Sequence, residues 1–156
     1  VYRRALFERL GYFDDRFESY LEDIEFGLRC ALAGYGGRYQ PDAVAYHVGS
    51  ATLGTWHRET VRRIARNQVF LAARYTGFTW AVFAGQALWG LGALRRGCLG
   101  PWLRGKREGW QARERFVRSA AEVLASSEQE ILALQRTVGW DAYWRVYFFL
   151  SRGVMR

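Results

Sequence analysis

Apolar positions recur at helical spacing along most of the chain. In residues 2–10, YRRALFERL, the residues Ala5, Leu6, Arg9 and Leu10 share that spacing, and Gly11 is placed to stop the helix. Residues 12–18 are aromatic and acidic and read as a loop. Ser19 then opens a second helix whose apolar face is Leu21, Ile24, Leu28 and Leu32, with Gly34 at its end. After the Gly36-Gly37 turn come two short runs, Arg38–Gln40 and Ala43–Val48, which read as strands around a Pro41-Asp42 turn. Residues 1–50 are therefore expected to be α/β, with further strands lying upstream.

The pattern changes after residue 50. A basic helix is expected over 57–76, with Val61, Ile64, Ala65, Val69, Leu71 and Ala72 among arginines. Residues 78–94, FTWAVFAGQALWGLGAL, carry no charge. Arg95, Arg96, a Gly-Pro break and a basic run from 102 to 118 follow. Residues 119–136 form an amphipathic helical pattern with Val123, Leu124, Ile131, Leu132 and Leu134, and the end of the chain is strongly aromatic. Two regions result: residues 1–55, and a helical tail over 56–156.

Half of the 156 residues are hydrophobic and 17% are aromatic, which excludes a disordered chain. A domain of this size can bury ~68–70% of its unfolded surface. The two cysteines, Cys30 and Cys98, form neither a metal-ligand spacing nor a disulfide framework, and a reducing compartment is the default reading. Charge is uneven. Residues 1–50 hold 6 basic and 8 acidic side chains, whereas residues 51–156 hold 17 basic and 7 acidic ones. The basic half is suited to an anionic partner, a membrane surface or a polyanion. The chain begins at Val1 and reads as a piece of a longer protein.

The acidic group Glu22, Asp23 and Glu25 is the first candidate for chemistry. Helix physics alone accounts for it. Ser19 to Glu22 matches the S-x-x-E capping box, acids in a first turn complement the helix dipole, and Glu25 with Arg29 makes an i,i+4 pair. A carboxylate at such a helix start is also well placed as a general base, because the position is rigid and opens from a loop. His47 has two readings as well. A lone His in a strand is usually a satisfied polar group, but Gly49 and Ser50 beside it let a ligand approach the backbone.

The run GYFDDRFESYLEDIEFGLRCALAGYGGRYQPDAVAYHVGSAT (residues 11–52) resembles the C-terminal part of the catalytic domain of family 2 glycosyltransferases. It is most similar to rhamnosyltransferase-like and galactofuranosyltransferase-like bacterial members. The spaced elements are Gly11 to Phe17, Glu22-Asp23-Ile24-Glu25 with Arg29, Ala33-Gly34-Tyr35, and the stretch from residue 39 to Ser50. The resemblance implies a GT-A fold, with residues 1–55 as its acceptor side, and inverting transfer from a nucleotide-diphosphate sugar to a glycan or lipid-linked acceptor in cell-surface polysaccharide synthesis. It implies Asp23 as general base, Glu22 as a contact to the acceptor hydroxyl, and His47 as ligand to a divalent metal, Mg or Mn. Glu25, Arg29 and Ser50 are further candidates. No D-x-D motif occurs in the chain. That motif and the donor pocket are expected upstream, so the piece alone is expected to be inactive.

The tail admits several readings. Residues 78–94 are short for a membrane span, which needs ~20 apolar residues. Trp80, Trp89 and Trp102 with flanking arginines suit an interfacial helix, peripheral at the cytoplasmic face of the membrane. A buried helix hairpin packed on the catalytic part is the alternative. A non-catalytic remnant whose tail binds membrane or nucleic acid is the contrasting reading. Arginines interleaved with aromatics could hold phosphates and bases, but nucleic acid is disfavoured because the arginines are scattered among apolar segments and no nucleic-acid motif occurs.

Overall fold

The computed structural model describes residues 1–38, 40–46, 56–114, 119–139 and 145. Helix α1 spans Arg4–Leu10 and ends at Gly11, whose φ of 82° no other residue type adopts as readily. A single 3₁₀ turn, Asp15–Phe17, precedes α2 at Glu22–Leu32. Helix α3 runs Arg58–Leu71 and continues into a π-helical turn, Ala72–Thr76, closed by the Gly77 N–H donating to the Ala72 carbonyl at 2.7 Å. Helices α4 (Trp80–Arg95), α5 (Leu99–Ala112) and α6 (Ala121–Val138) complete the described part. Pro101 lies in the first turn of α5, where its missing N–H interrupts no helical bond.

The expected α/β, GT-A architecture is not what the structure shows: among the described residues there are helices and loops and no strand. The reason lies in the backbone. An extended segment needs a neighbour to satisfy its N–H and C=O groups. The described residues around Pro41 have no such neighbour. Instead the Ala43 N–H donates to the Gln40 carbonyl at 3.2 Å, closing a turn, and Val44 and Tyr46 stand in solvent. The end of the second expected strand, with His47, and Ser50 beyond it lie outside the described residues.

Two packing units position the acidic helix. Near the N-terminus, Tyr2, Phe7 and Phe13 surround fully buried Phe26 of α2, with ring centroids 4.9, 4.6 and 5.4 Å from it. This cluster fixes α1 against α2. The second unit is α3 against α5. Its close approach is permitted by Gly105 and Gly109, one helical turn apart on α5. A Cβ at Gly109 would sit 2.7 Å from the Arg66 carbonyl, and one at Gly105 would collide with the Arg62 carbonyl. Glycine inside a helix costs ~1 kcal/mol relative to alanine, so backbone proximity explains both. Phe17, fully buried, packs edge-on against Phe70 with centroids 5.7 Å apart and joins the loop before α2 to α3. Both cysteines are free and buried.

Candidate functional site

The segment that delivers Glu22 and Asp23 is unusual in its backbone. Glu18, Tyr20 and Leu21 all have positive φ, at 56°, 72° and 69°, and none is glycine. Such conformations cost roughly 1–3 kcal/mol each and persist only where surroundings over-determine them. The surroundings here are two adjacent residues of α3. Asn67, fully buried, donates from Nδ2 to the carbonyls of Phe17, Ser19 and Tyr20 at 2.8, 3.0 and 2.8 Å. Arg66 donates to the carbonyls of Arg16 and Phe17 at 3.1 Å each, to Glu18 Oε1 at 2.6 Å, and to Asn67 Oδ1 at 3.0 Å. The bond from Arg66 holds the Glu18 carboxyl below its ordinary range. A second tie comes from the Tyr20 hydroxyl, 3.2 Å from Thr60 Oγ1. The loop is thus clamped onto α3, and α2 begins from it at Glu22.

This geometry corrects one expectation. The capping box does not form: α2 starts three residues after Ser19, its N-cap is Leu21 in the left-handed region, and no side chain caps it. Ser19 Oγ instead accepts from Arg63 Nη1 at 2.9 Å. Two of the acidic side chains are therefore not consumed by capping. Asp23 is exposed, with its Oδ1 accepting from the Ile24 N–H at 2.8 Å. Glu22 turns inward. Its Oε2 is shielded from solvent and has no hydrogen-bond partner among the described residues. Orphaned buried oxygens of this kind are uncommon and call for an explanation.

Glu25 has a different place. It is 1% exposed and sits at the centre of an ionic network. Oε1 accepts from the Tyr75 hydroxyl at 2.7 Å and from Arg74 at 3.2 Å, and Oε2 accepts from Arg29 at 2.9 Å, the expected i,i+4 pair. Arg29 goes on to the carbonyls of Leu10 and Tyr12 at 2.6 and 2.7 Å. Arg74 also reaches Asp14 at 2.6 Å and Glu114 at 2.9 Å. The π-helical turn brings Arg74 and Tyr75 to this network. Burial and the bond to Glu25 push the Tyr75 hydroxyl up to about 12. Burial alone would raise the Asp14 carboxyl, but bonds from Arg16 and Arg74 outweigh it and hold it far below the usual range. Every oxygen of Glu25 is occupied by protein, and Arg29 ties it to the loop carbonyls of Leu10 and Tyr12.

The structure thus brings Glu22, Asp23, Glu25 and Arg29 together on α2, while His47 and Ser50 lie outside the described residues. The pattern reading missed Asn67, Arg66, Arg74 and Tyr75. One signal was available for Asn67. It lies between Ala65 and Val69 in a helix whose apolar residues mark the core, and a buried amide there must find partners.

Comparison with known proteins gives the family. A stretch of 80 residues, 49% of this chain, is 33% identical to the N-acetylglucosaminyl-diphospho-decaprenol L-rhamnosyltransferase of Mycobacterium tuberculosis, in each of two strains. The match covers 25% of those relatives, so the chain spans only part of their length. No solved structure matches. The model of glycosyl transferase family group 2 matches residues 1–151, nearly the whole chain, and the chain belongs to that family.

Proposed function

We propose that the clamped start of α2 is the acceptor side of an inverting sugar transfer from a nucleotide-diphosphate sugar. One observation supports the assignment most: at a helix start held by Arg66 and Asn67, Asp23 is exposed while the Glu22 Oε2 is buried and has no partner among the described residues. In this reading Asp23 removes the proton from the acceptor hydroxyl as that oxygen attacks the anomeric carbon. The anomeric bond to the diphosphate breaks on the opposite face, and the diphosphate leaves with the electron pair. Glu22 accepts the hydrogen bond of a neighbouring acceptor hydroxyl through its other carboxylate oxygen, Oε2 being shielded from solvent. The family relatives, named for rhamnosyl transfer to a lipid-diphosphate-linked sugar, suggest a rhamnosyl donor and a lipid-linked glycan acceptor. The network on Glu25 keeps the loop in register and takes no part in bond making.

The divalent metal implied by the resemblance finds no donor set among the described residues. No three His, Cys, Asp or Glu side chains converge there, and Asp14 and Glu25 are bound by arginines.

The test separates the two acids kinetically in the full-length polypeptide, with a nucleotide-diphospho-rhamnose as donor. Glu22→Gln is expected to raise the acceptor KM about tenfold or more, the loss of a hydrogen bond to a charged group, with the donor KM unchanged. A rise in donor KM with no change for the acceptor would refute the placement of Glu22.

A further inference from the structure

Helix α4 is apolar on the side that faces away from the protein. Trp80, Phe83, Leu88, Leu91 and Leu94 are 75, 52, 52, 55 and 55% exposed. At 3.6 residues per turn they fall on one face with Ala87. The opposite face, with Val82, Gln86, Gly90 and Ala93, is the one turned to the protein, and Gly90 and Ala93 are buried there. An exposed large apolar patch needs a reason, because monomers seldom leave one uncovered. The patch continues at its N-terminal end. Phe78 lies 6.3 Å from Phe83 and 4.8 Å from Trp110 of α5, centroid to centroid, and Trp110 is 47% exposed. These rings border a cavity of about 250 Å³ whose walls include Val82, Phe83 and Trp102.

Four exposed arginines lie on the segments that carry this surface. Arg95 and Arg96 close the C-terminal end of α4, Arg107 lies on the outer side of α5, and Arg113 stacks over Trp110 at 3.9 Å. Among the described residues none of the four has a carboxylate within ion-pairing distance, in contrast to the arginines of α3. Apolar rings and leucines on one face, with arginines that have no carboxylate partner among the described residues, match a layer with an apolar interior and anionic headgroups. A protein partner of ordinary composition would match the leucines but would not require the arginines. No helix among the described residues is long and apolar enough to cross a membrane, so the helix would lie along the surface.

We propose that the outer face of α4, with Phe78 and Trp110, is a docking surface for an anionic lipid bilayer, with the adjoining cavity receiving a lipid chain. The arginines hold the headgroups and the leucines enter the acyl boundary. This surface is separate from the start of α2 and does not depend on the role of Asp23.

The experiment is vesicle flotation of the full chain. Vesicles of equal parts phosphatidylglycerol and phosphatidylcholine are compared with phosphatidylcholine alone. Binding is expected to the anionic vesicles and to fall with salt. Leu88→Glu with Leu91→Glu is expected to lower partitioning about tenfold or more. Both side chains are half exposed, so the variant should keep its helical circular dichroism. Arg95→Gln with Arg96→Gln removes one ring contact, Arg96 over Trp56, and is expected to lower partitioning about fivefold per arginine at low salt. Unchanged partitioning in both variants would overturn the proposal. So would a wild-type dimer that fails to float and that Leu88→Glu with Leu91→Glu splits, because a second copy would then be the occupant.

Discussion

Asn67→Ala removes the donor that holds three carbonyls of the loop before α2. Its amide has two hydrogens, so at most two full hydrogen bonds are lost at once, and the accepting carbonyls of Phe17, Ser19 and Tyr20 lie against a fully buried side chain. Two bonds at a net ~0.5–1.5 kcal/mol each give a lower figure of about 1 to 3 kcal/mol. A buried carbonyl left without a partner adds ~1–3 kcal/mol more unless the loop moves. The loop has reason to move, because Tyr20 and Leu21 release left-handed backbone strain when freed. The expected loss in urea unfolding is therefore about 2 to 4 kcal/mol, with relaxation keeping it from the top of the range. Proteolysis should cut the segment 17–21 faster in the variant than in wild type. Asn67→Asp should be at least as damaging, since it sets a carboxylate oxygen where an amide donor faced carbonyls. A change below about 0.5 kcal/mol, with unaltered proteolysis, would refute the clamp.

Three other perturbations follow from the structure. Gly105→Ala would gain ~1 kcal/mol of helix propensity but force α3 and α5 apart at the Arg62 carbonyl and Ala65, 2.9 Å away. A net loss of roughly 1–3 kcal/mol is expected, and a more stable variant by urea unfolding would contradict the close packing. Stability should also fall in acid. Glu59 is held at about 2 by its bonds to Arg62 and Arg63, and Asp14 and Glu18 are lowered as well. Their contribution is complete above the unfolded carboxylate range and is lost as pH falls from about 4.5 toward about 2. Removing Glu59 as Glu59→Gln should flatten that limb, and an identical acid transition would count against the pairing. Lys106 acts in the same direction but at higher pH. Its ammonium is held by the Ala65 carbonyl at 3.0 Å, Gln68 at 2.9 Å and Gln86, and burial pushes it down to about 7. Between about 7 and the unfolded value of 10.5 the unfolded chain binds the extra proton. Stability should therefore rise with pH across that window, and Lys106→Met should abolish the rise. The same slope in the variant would show that another group causes it.

Helices were the legible part of this chain. The 3.6-residue spacing and the glycines at 11 and 34 give α1 and α2 to within a few residues, and the basic helix, the uncharged helix and the amphipathic helix all occur where the pattern puts them. What the pattern misread is instructive. The S-x-x-E run looks like a capping box, yet Ser19 is taken by Arg63 and the helix begins at Glu22. Local pattern cannot foresee that Asn67, 47 residues along the chain from Tyr20, bonds the Tyr20 carbonyl and so holds Tyr20 and Leu21 in a backbone form that neither prefers. The strand expectation failed for a related reason. Two short strand-like runs around Pro41 describe segments able to pair, not ones that have a partner. At the site, the acidic pattern drew attention to α2 but could not divide its members. Only the contacts separate Glu25, whose oxygens all meet arginine or tyrosine, from Glu22, whose Oε2 meets nothing described.

The central claim is that Asp23 acts on the acceptor from a helix start set by the Arg66–Asn67 clamp. Its most direct measurement is single-turnover sugar transfer by Asp23→Asn in the full-length polypeptide, with nucleotide-sugar binding followed on the same preparation. A general base contributes ~10²–10⁴-fold, so transfer should slow by at least about a hundredfold while donor binding stays at the wild-type level. Transfer at the wild-type rate would remove Asp23 from the chemistry, and leave the clamp as a device of folding alone.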